Sequence, residues 1–211
     1  MKADKRSMLL YVVTDRTWLQ GNSLSSQVEE IIKAGATFIQ IREKELSFDE
    51  FVEKAAEIKK ITDKYQVPFI INDDIQVALK VNADGVHVGQ SDMKAQDVRK
   101  IIGPNTILGV SAQTVEQAVE AEANGADYLG VGAVFNTSTK LDASSVSYET
   151  LQAICRSVSI PVVAIGGIDE NNISKLKGSG IAGVAVVSAI FAQPDAGKAT
   201  STLFDLAKGL F

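Results

Sequence analysis

The chain is organised around Phe38-Ile39-Gln40-Ile41-Arg42-Glu43-Lys44, an apolar run that ends in charged residues just before a predicted helix. Successive side chains of a strand point to opposite faces. Gln40, Arg42 and Lys44 therefore share one face, while Ile39, Ile41 and Glu43 take the other. A buried charge without a partner is costly. The stretch is thus either an anion receptor or a solvated strand end, and by itself it does not decide between them.

The same change from apolar to polar residues recurs along the chain. Apolar segments rich in strand-forming residues end abruptly in polar ones, and segments with helical spacing of their apolar positions follow. The predicted strands are 8–13, 38–44, 69–71, 85–88, 106–110, 128–131, 162–165 and 183–187. The predicted helices are 23–34, 47–64, 75–81, 94–102, 114–125, 147–156, 171–177 and the segment after 188.

Eight strands alternating with eight helical segments, at a spacing of about 25 residues, predict a closed (β/α)8 TIM barrel of the α/β class. Strands that are apolar almost throughout suit burial on both faces. Capping boxes at Ser47 with Glu50 and at Thr114 with Gln117 mark two helix starts. No linker divides the chain, so we expect a single domain over residues 1–211. An open doubly wound sheet is the alternative, although no Gly-x-Gly-x-x-Gly follows the first strand to indicate a dinucleotide site.

Composition excludes several classes of function. The chain has 211 residues, 45% of them hydrophobic, and a net charge of −5. This charge and a pI near 5.0 disfavour nucleic-acid binding, which usually needs a basic surface. Cys155 is the only cysteine, so no intrachain disulfide or cysteine-rich metal site can form. The run 8–13 is too short for a membrane span or signal-peptide core, and we predict a soluble cytoplasmic protein.

The polar strand ends form one group, because all strands of such a barrel point their carboxyl ends at the same mouth. The residues concerned are Gln40, Arg42, Lys44, Asn72, Asp73, Asp92, Ser111, Thr137, Thr139, Lys140, Gly166, Gly167 and Ser188. Each of them alone is better explained as an ordinary loop residue. Their combined chemistry says more.

Two aspartates follow neighbouring predicted strands, Asp73 after the third and Asp92 after the fourth. Two carboxylates there would repel each other unless a cation lay between them, and oxygen ligands suit Mg²⁺. The alternative is that Asp73 or Asp92 caps the following helix, with Asp74 as a rival of Asp73. We expect a magnesium site built on Asp73 and Asp92.

The mouth also carries an excess of positive charge. Arg42, Lys44 and Lys140 supply three cations, which together with magnesium outweigh the two aspartates and suit a diphosphate. A second anion site is predicted where Gly166-Gly167 follows strand seven and a short helix begins near Ser188, since bare backbone and helix amides bind phosphate.

Two potentially reactive side chains receive no catalytic role. His87, the only histidine, lies inside an apolar strand and is expected to pack or to form hydrogen bonds near the substrate. Cys155 lies in a predicted helix with no histidine near it in sequence, which argues against a nucleophile.

The motifs at these strand ends resemble those of the thiamin-phosphate synthase family over essentially the whole chain. They are Leu10-Tyr11-Val12-Val13-Thr14-Asp15, Gln40-Ile41-Arg42-Glu43-Lys44, Ile71-Asn72-Asp73-Asp74, His87-Val88-Gly89-Gln90-Ser91-Asp92, Gly109-Val110-Ser111, Thr137-Ser138-Thr139-Lys140 and Ile165-Gly166-Gly167-Ile168. The Gln-x-Arg-Glu-Lys and Asn-Asp elements in this order are specific, whereas many phosphate-binding barrels share the glycine motif. The resemblance implies that a hydroxymethylpyrimidine diphosphate is joined to a thiazole phosphate, with release of diphosphate and with magnesium as cofactor.

The resemblance also implies roles for single residues. Diphosphate is held by Arg42, Lys44, Asn72 and Lys140, magnesium by Asp73 and Asp92, the pyrimidine by Gln40 and Ser111, and the thiazole phosphate by Thr137, Ser138, Thr139, Gly167, Val187 and Ser188. The expected catalytic residues are Arg42, Lys44, Lys140 and Ser111. Ile41 and Glu43 join the substrate-binding set as part of their motif, and Glu43 receives no catalytic role. The implied partners are these two small molecules, and the oligomeric state stays open, a homo-oligomer included.

The chain departs from the family pattern at Ala133 and Asn136, where prolines are frequent, so the loop after strand six is expected to be less rigid. Two alternatives stay open. A thiazole tautomerase would handle the thiazole phosphate alone and would not need the diphosphate and magnesium residues. A non-catalytic phosphate-binding barrel would bind ligands without turnover.

Overall fold

Eight parallel strands close into a barrel in the computed structural model, which describes residues 5–19, 21–136 and 145–211. The strands are β1 (Leu10–Val13), β2 (Phe38–Ile41), β3 (Phe69–Asn72), β4 (Gly85–Val88), β5 (Ile107–Ala112), β6 (Tyr128–Val131), β7 (Val162–Ile165) and β8 (Gly183–Val186). Each strand pairs with the next, and β8 returns to β1 with Tyr11 opposite Ala185. This closure confirms the predicted TIM barrel and excludes the open sheet.

Helices surround the barrel mostly where the apolar spacing predicts them. They are α1 (Leu24–Lys33), α2 (Phe48–Tyr65), α3 (Ile75–Val81), α4 (Ala95–Ile102), α5 (Val115–Ala123), α6 (Tyr148–Ser157), α7 (Ser188–Phe191) and α8 (Ala196–Lys208). The helix predicted at 171–177 is wrong, because a 3₁₀ turn, Ile173–Leu176, stands there instead. The Asp169 side chain accepts from the amides of Asn171 and Asn172, which holds this connection in a tight turn.

Side chains at the helix starts accept hydrogen bonds from the first backbone amides of the helices. The Ser47 hydroxyl accepts from the amide of Glu50 and the Glu50 carboxylate accepts from the amide of Ser47, so the capping box of α2 is confirmed. The box predicted at α5 is wrong in its second half. Thr114 accepts from the amide of Gln117, but the Gln117 side chain accepts from the amide of Gln113, one residue before the cap. Either arrangement satisfies amides that a helix start leaves without partners.

The helices are amphipathic. The 18-residue α2 buries Phe51, Ala55 and Ile58 against the barrel and exposes charged residues such as Glu53 and Lys60 on its other side. Among the described helices, none has the length and apolar character that a bilayer span requires.

Apolar side chains fill two separate layers. The barrel interior holds Met8, Tyr11, Val13, Phe38, Ile70, Ile107, Tyr128, Val163 and Ala185. The layer between strands and helices holds the opposite strand faces, including Ile39 and Ile41. Successive residues of β2 therefore alternate between the two layers, and Gln40 follows Phe38 on the interior face. Burial on both faces explains why the strands are apolar at nearly every position.

Candidate active site

A cavity of about 760 Å³ opens at the carboxyl ends of the strands. The sequence-predicted residues that line it are Gln40, Arg42, Lys44, Asn72, Asp73, Asp92, Ser111, Gly166, Gly167, Val187 and Ser188. The predicted site residues Thr137, Ser138, Thr139 and Lys140 lie outside the described residues. Barrel closure thus brings together side chains that are widely separated in sequence.

Arg42 and Lys44 stand beyond the end of β2, on the face that strand alternation predicts. The Arg42 amide donates to the Thr14 hydroxyl at 3.2 Å, which ties this segment to the end of β1. The Lys44 ammonium lies 2.7 Å from the Asp73 carboxylate. One wall of the cavity therefore carries two cations, one of which is balanced by a neighbouring acid.

Asp73 does not cap the following helix. The cap of α3 is Asp74, whose side chain accepts from the amide of Val77 at 2.9 Å. Asp73 has a φ of +63°, and its amide donates to the His87 carbonyl on β4 at 2.8 Å. Aspartate tolerates this left-handed conformation better than most residues. The two adjacent aspartates thus have separate tasks: Asp74 caps α3, and Asp73, paired with Lys44, lines the cavity.

Asp92 does not cap a helix either. Helix α4 begins after Lys94, which makes no side-chain cap bond. One Asp92 carboxylate oxygen accepts from the Gly89 amide at 2.7 Å, and this bond closes the loop that follows β4. A Cβ at Gly89 would lie 3.0 Å from the same oxygen, so the loop is closely packed around the acid. The bond to Gly89 uses one oxygen of Asp92, and among the described residues no hydrogen bond to the other oxygen is seen.

Asp73 and Asp92 line the cavity from the ends of neighbouring strands. Within the described ranges, no group of three or more His, Cys, Asp or Glu side chains is arranged to hold a metal ion. Two carboxylates nevertheless fit Mg²⁺, which commonly takes one or two protein carboxylates and completes its shell with water and phosphate oxygens. They do not fit zinc, which takes three or four protein ligands. The donor set suits magnesium that binds together with a phosphate ligand.

Two members of the 38–44 stretch face away from the cavity. Ile41 is fully buried between strands and helices. The Glu43 side chain is 5% exposed, and both of its oxygens lie 2.8 Å from Arg16 Nε. Burial raises the pKa of Glu43, and the ion pair with Arg16 opposes that rise. Strand alternation therefore leaves only the backbone of Ile41 and Glu43, not their side chains, for the expected contact with substrate.

A chain of buried polar side chains crosses the barrel at the floor of the cavity. Gln40 Nε2 donates to the Tyr11 hydroxyl at 2.5 Å, and that hydroxyl lies 2.8 Å from the Tyr128 hydroxyl. His87 then bridges two groups at 3.0 Å each, Tyr128 through Nδ1 and Ser111 through Nε2. Burial raises the pKa of both phenols well above the ordinary 10.0, so both keep their protons at neutral pH. The hydrogen bonds expected of His87 are present, whereas the sequence revealed no partner role for Tyr11 and Tyr128.

Gly109 makes this chain of bonds sterically possible. It lies on β5 between its register partners, His87 on β4 and Tyr128 on β6. A Cβ at Gly109 would collide with the Tyr128 hydroxyl and with His87 Nδ1. A Cβ at Gly130 would lie 3.0 Å from His87 Cε1, so this position also has to stay small. The missing side chains let the two rings meet across three strands.

The glycine pair after β7 provides another part of the wall. Gly166 and Gly167 have φ angles of +100° and +65°. A Cβ on Gly167 would collide with the backbone of Asn136. Val187 and Ser188 line the same cavity, and the four-residue helix α7 begins at Ser188 as predicted. Exposed backbone at closely packed glycines suits the approach of a phosphate.

Comparisons with known sequences point to one family. The family model for thiamine monophosphate synthase matches residues 10–190. The thiamine-phosphate synthase of Clostridium tetani is 55% identical over 92% of this chain and 93% of the relative. That of Ruminiclostridium cellulolyticum is 55% identical over 93% of this chain and 94% of the relative.

Solved structures show the same similarity in three dimensions. Thiamine phosphate pyrophosphorylase from Pyrococcus furiosus has a TM-score of 0.91 and 39% identity, with 98% of each chain covered. The protein of that name from Bacteroides thetaiotaomicron has a TM-score of 0.68 over 96% of this chain and 97% of its own. At 19% identity the second comparison shows the fold alone.

Proposed function

Because the chain belongs to the thiamine monophosphate synthase family, a family of transferases in thiamine biosynthesis, we propose that it transfers a hydroxymethylpyrimidine group from its diphosphate to the nitrogen of a hydroxyethylthiazole phosphate. Diphosphate leaves, and magnesium is the proposed cofactor. One observation carries the proposal. A single cavity holds cations and paired carboxylates at the ends of β2 to β4 and a glycine wall at the ends of β7 and β8.

The diphosphate is assigned to the charged wall. Arg42, Lys44 and Asn72 line this part of the cavity, and positive charge placed there stabilises the negative charge that develops as the carbon–oxygen bond breaks. Asp73 and Asp92 would hold magnesium, and the bound ion would neutralise part of the charge of the leaving diphosphate. Lys140, which lies outside the described residues, is assigned to the same group by resemblance.

The reaction needs no proton acceptor. The electron-rich aminopyrimidine stabilises a cation at its exocyclic carbon, and the thiazole nitrogen attacks that carbon to give a thiazolium without a proton to lose. Two side chains that could act as bases are engaged otherwise, since Glu43 is held in an ion pair and His87 bonds to Tyr128 and Ser111. The cavity carboxylates Asp73 and Asp92 are assigned to magnesium. Burial raises the pKa of Cys155 to about 11, so this thiol stays protonated at neutral pH.

The two rings require positions on either side of the reacting carbon. Gln40 and Ser111 are assigned to the pyrimidine by resemblance, and the assignment is supported by their place in the cavity lining. The residues assigned to the thiazole phosphate are Gly167, Val187 and Ser188, with Thr137, Ser138 and Thr139 added by resemblance. Holding both reactants in line supplies much of the rate in a reaction without acid–base chemistry.

The thiazole tautomerase is the second candidate, and the charged wall argues against it. An enzyme that handles the thiazole phosphate alone has no use for Arg42, Lys44 and the Asp73–Asp92 pair in one cavity. The non-catalytic barrel would use all of these residues for binding, so only an assay of turnover separates it from a synthase.

The test mixes purified protein with both substrates and magnesium, and follows thiamin phosphate after its conversion to fluorescent thiochrome. We expect product that requires both substrates and that disappears when magnesium is chelated. Lys44→Ala should slow the reaction, and Lys60→Ala, on the exposed side of α2, should not. No product from folded protein that binds both ligands would overturn the proposal. Isomerisation of the thiazole phosphate alone would favour the tautomerase.

A further inference from the structure

The buried hydrogen-bond chain at the cavity floor has a direction. Its members, in the order in which they touch, are Gln40, Tyr11, Tyr128, His87 and Ser111, and we name it the Gln40–Ser111 chain. They stand on β2, β1, β6, β4 and β5. Both ends of the chain line the cavity, whereas Tyr128 in its middle is fully buried.

The Gln40 end sets the direction of the first two bonds. An amide nitrogen can only donate, so the Tyr11 oxygen accepts from Gln40. Tyr11 then has its own proton to donate, and the Tyr128 oxygen is the next acceptor along the chain. Tyr11 and Tyr128 are 2% and 0% exposed, so a hydroxyl proton without an acceptor would carry the full cost of its desolvation.

The same reasoning continues through the imidazole. The Tyr128 oxygen already accepts from Tyr11, and the acceptor that the chain offers to its proton is His87 Nδ1. Since Nδ1 accepts, a neutral His87 carries its proton on Nε2. Nε2 then donates to the Ser111 oxygen, and the Ser111 proton is left to donate into the cavity.

We propose that Tyr11, Tyr128 and His87 are positioning residues that make the pyrimidine site selective for an amino group beside a ring nitrogen. The Gln40 amide nitrogen is directed toward both Tyr11 and Tyr128, so the Gln40 amide oxygen is left as an acceptor and the Ser111 hydroxyl as a donor. An aminopyrimidine offers the complementary pair, whereas an oxopyrimidine in its amide form reverses the pattern and leaves buried polar groups unpaired. This inference rests on the proposed function and names how the same site selects its substrate.

The strands of the barrel, rather than its loops, hold the Gln40–Ser111 chain in place. The Tyr11, Phe38 and Tyr128 rings pack against one another with centroids 4.7, 5.9 and 5.8 Å apart. Gly109 leaves the space through which Tyr128 reaches His87. The members therefore stand on rigid strands with locked rings, which is what a site that orients a substrate requires.

The protonation of His87 tests the direction without any substrate. His87 is the only histidine, so a ¹⁵N spectrum of the histidine-labelled protein contains a single imidazole. At mildly alkaline pH, where an ordinary imidazole is neutral, we expect a protonated Nε2 and an unprotonated Nδ1. A protonated Nδ1, alone or together with Nε2, would overturn the proposal.

Tyr128→Phe tests the role of the chain in the reaction, because it keeps the ring and removes the donor to Nδ1. We expect the Nδ1–H form of His87 to become populated and the KM for the pyrimidine diphosphate to rise about 10-fold, with the KM for the thiazole phosphate changed by less than about twofold. Tyr65→Phe is the matched control. The Tyr65 hydroxyl donates to Glu29 on the outside of the barrel, and its loss should change neither measurement.

Selectivity is measured by competition between the pyrimidine diphosphate and its oxo analogue. We expect the protein to prefer the amino compound by at least about 100-fold, and Tyr128→Phe to reduce that preference about 10-fold. Unchanged His87 protonation and unchanged preference in folded Tyr128→Phe would overturn the proposal. The ¹⁵N spectrum needs no substrate, so it tests the order of donors independently of the reaction. If the expected ¹⁵N pattern is found but no thiamin phosphate forms, the proposed reaction is overturned and the order of donors is not.

Discussion

Lys44 Nζ and Asp73 Oδ2 lie 2.7 Å apart across the ends of β2 and β3. Lys44 is proposed to bind the diphosphate and Asp73 to bind magnesium. In the free protein the two side chains are paired with each other instead of with these ligands. A cation that binds Asp73 through Oδ2 would have to displace Lys44, and the displaced ammonium would become available to the diphosphate. We therefore propose that the ion pair couples the binding of the two ligands.

Lys44→Ala should have opposite effects on magnesium binding and on the reaction of the pyrimidine diphosphate. Without the competing ammonium, we expect magnesium alone to bind about 2- to 5-fold more tightly, as the loss of a partly exposed ion pair allows. The kcat/KM for the pyrimidine diphosphate should fall about 100-fold, because a cation beside the leaving group is lost. Calorimetry with magnesium alone and steady-state kinetics measure the two effects. Magnesium affinity that is unchanged or weaker would contradict the coupling.

Asp92→Asn should affect the metal and spare the loop. The amide oxygen of asparagine can still accept from Gly89, while the charge proposed to hold magnesium is gone. We expect the magnesium concentration for half-maximal activity to rise about 10- to 100-fold and the free energy of unfolding to stay the same. Rates recorded across a magnesium titration provide the measurement. Identical titration curves for both proteins would reject Asp92 as a ligand.

The 38–44 stretch shows which features a sequence reveals without a structure. Side-chain alternation is a local property, so the spacing alone placed Gln40 and Arg42 on one face and Glu43 on the other. The apolar strands likewise predicted burial on both faces, which the closed barrel provides. The fold class and the residues of this cavity wall can therefore be predicted from the sequence.

Side-chain contacts between strands that are distant in sequence could not be predicted in the same way. Tyr11 and Tyr128 are 117 residues apart in sequence, and their hydroxyls meet only because the barrel closes. The strand register then places Gly109 between Tyr128 and His87, which lets the Gln40–Ser111 chain continue to His87. The incorrect helix at 171–177 has a local cause. The amides of Lys175 and Lys177 donate to the carbonyls of Asn172 and Ser174, three residues back, so the segment closes as a short 3₁₀ turn, which apolar periodicity does not distinguish from an α-helix.

Gly167→Ala should impair the thiazole phosphate end. Alanine can adopt the φ of +65° at a cost of about 1–2 kcal/mol, but its Cβ would collide with the Asn136 backbone and displace the wall. We expect kcat/KM for the thiazole phosphate to fall about 10- to 100-fold, with the pyrimidine diphosphate less affected. Gly103 has φ +73° and ψ −179° and no atom within 4 Å of its Cβ, so Gly103→Ala introduces backbone strain without a clash and controls for strain away from the cavity. Equal losses for both substrates would contradict the assignment.

Arg99 fastens the amino end of the barrel, opposite the cavity. It donates to the carbonyls of Gly103, Thr106 and Gly125 at 2.7–3.1 Å and to the Asp127 carboxylate at 2.5 Å. Arg99→Met removes these bonds and leaves a partly buried carboxylate without its cation. We expect the free energy of unfolding to fall by about 3 kcal/mol and kcat/KM to stay unchanged, since the active site lies at the other end.

Urea unfolding and the thiochrome assay measure these two quantities for Arg99→Met. The neighbouring Lys100 forms an exposed ion pair with Asp97, so Lys100→Met should cost less than about 1 kcal/mol. Activity per folded Arg99→Met molecule that falls below that of the unaltered protein would show that the far end of the barrel influences the site.

Arg16→Ala should give a pH-dependent loss of stability through Glu43. Burial raises the pKa of Glu43 above its ordinary 4.5 even beside Arg16, and removing Arg16 raises it further. A carboxyl with a raised pKa in the folded state binds protons more tightly there than in the unfolded state. Stability therefore falls as pH rises from 4.5 through the raised value. We expect the variant to lose about 1–2 kcal/mol at pH 7 and almost nothing near pH 4, where Glu43 is protonated.

Urea unfolding at several pH values measures the loss in Arg16→Ala, and a second change isolates its cause. Glu43→Gln on the Arg16→Ala background removes the buried charge, so it should restore most of the stability at pH 7 and flatten the pH dependence. Lys54→Ala breaks an exposed pair with Glu57, whose pKa is lowered by that partner, and should cost less than about 1 kcal/mol. A loss in Arg16→Ala that is the same at pH 4 and pH 7 would mean that Arg16 acts through packing and not through the charge of Glu43.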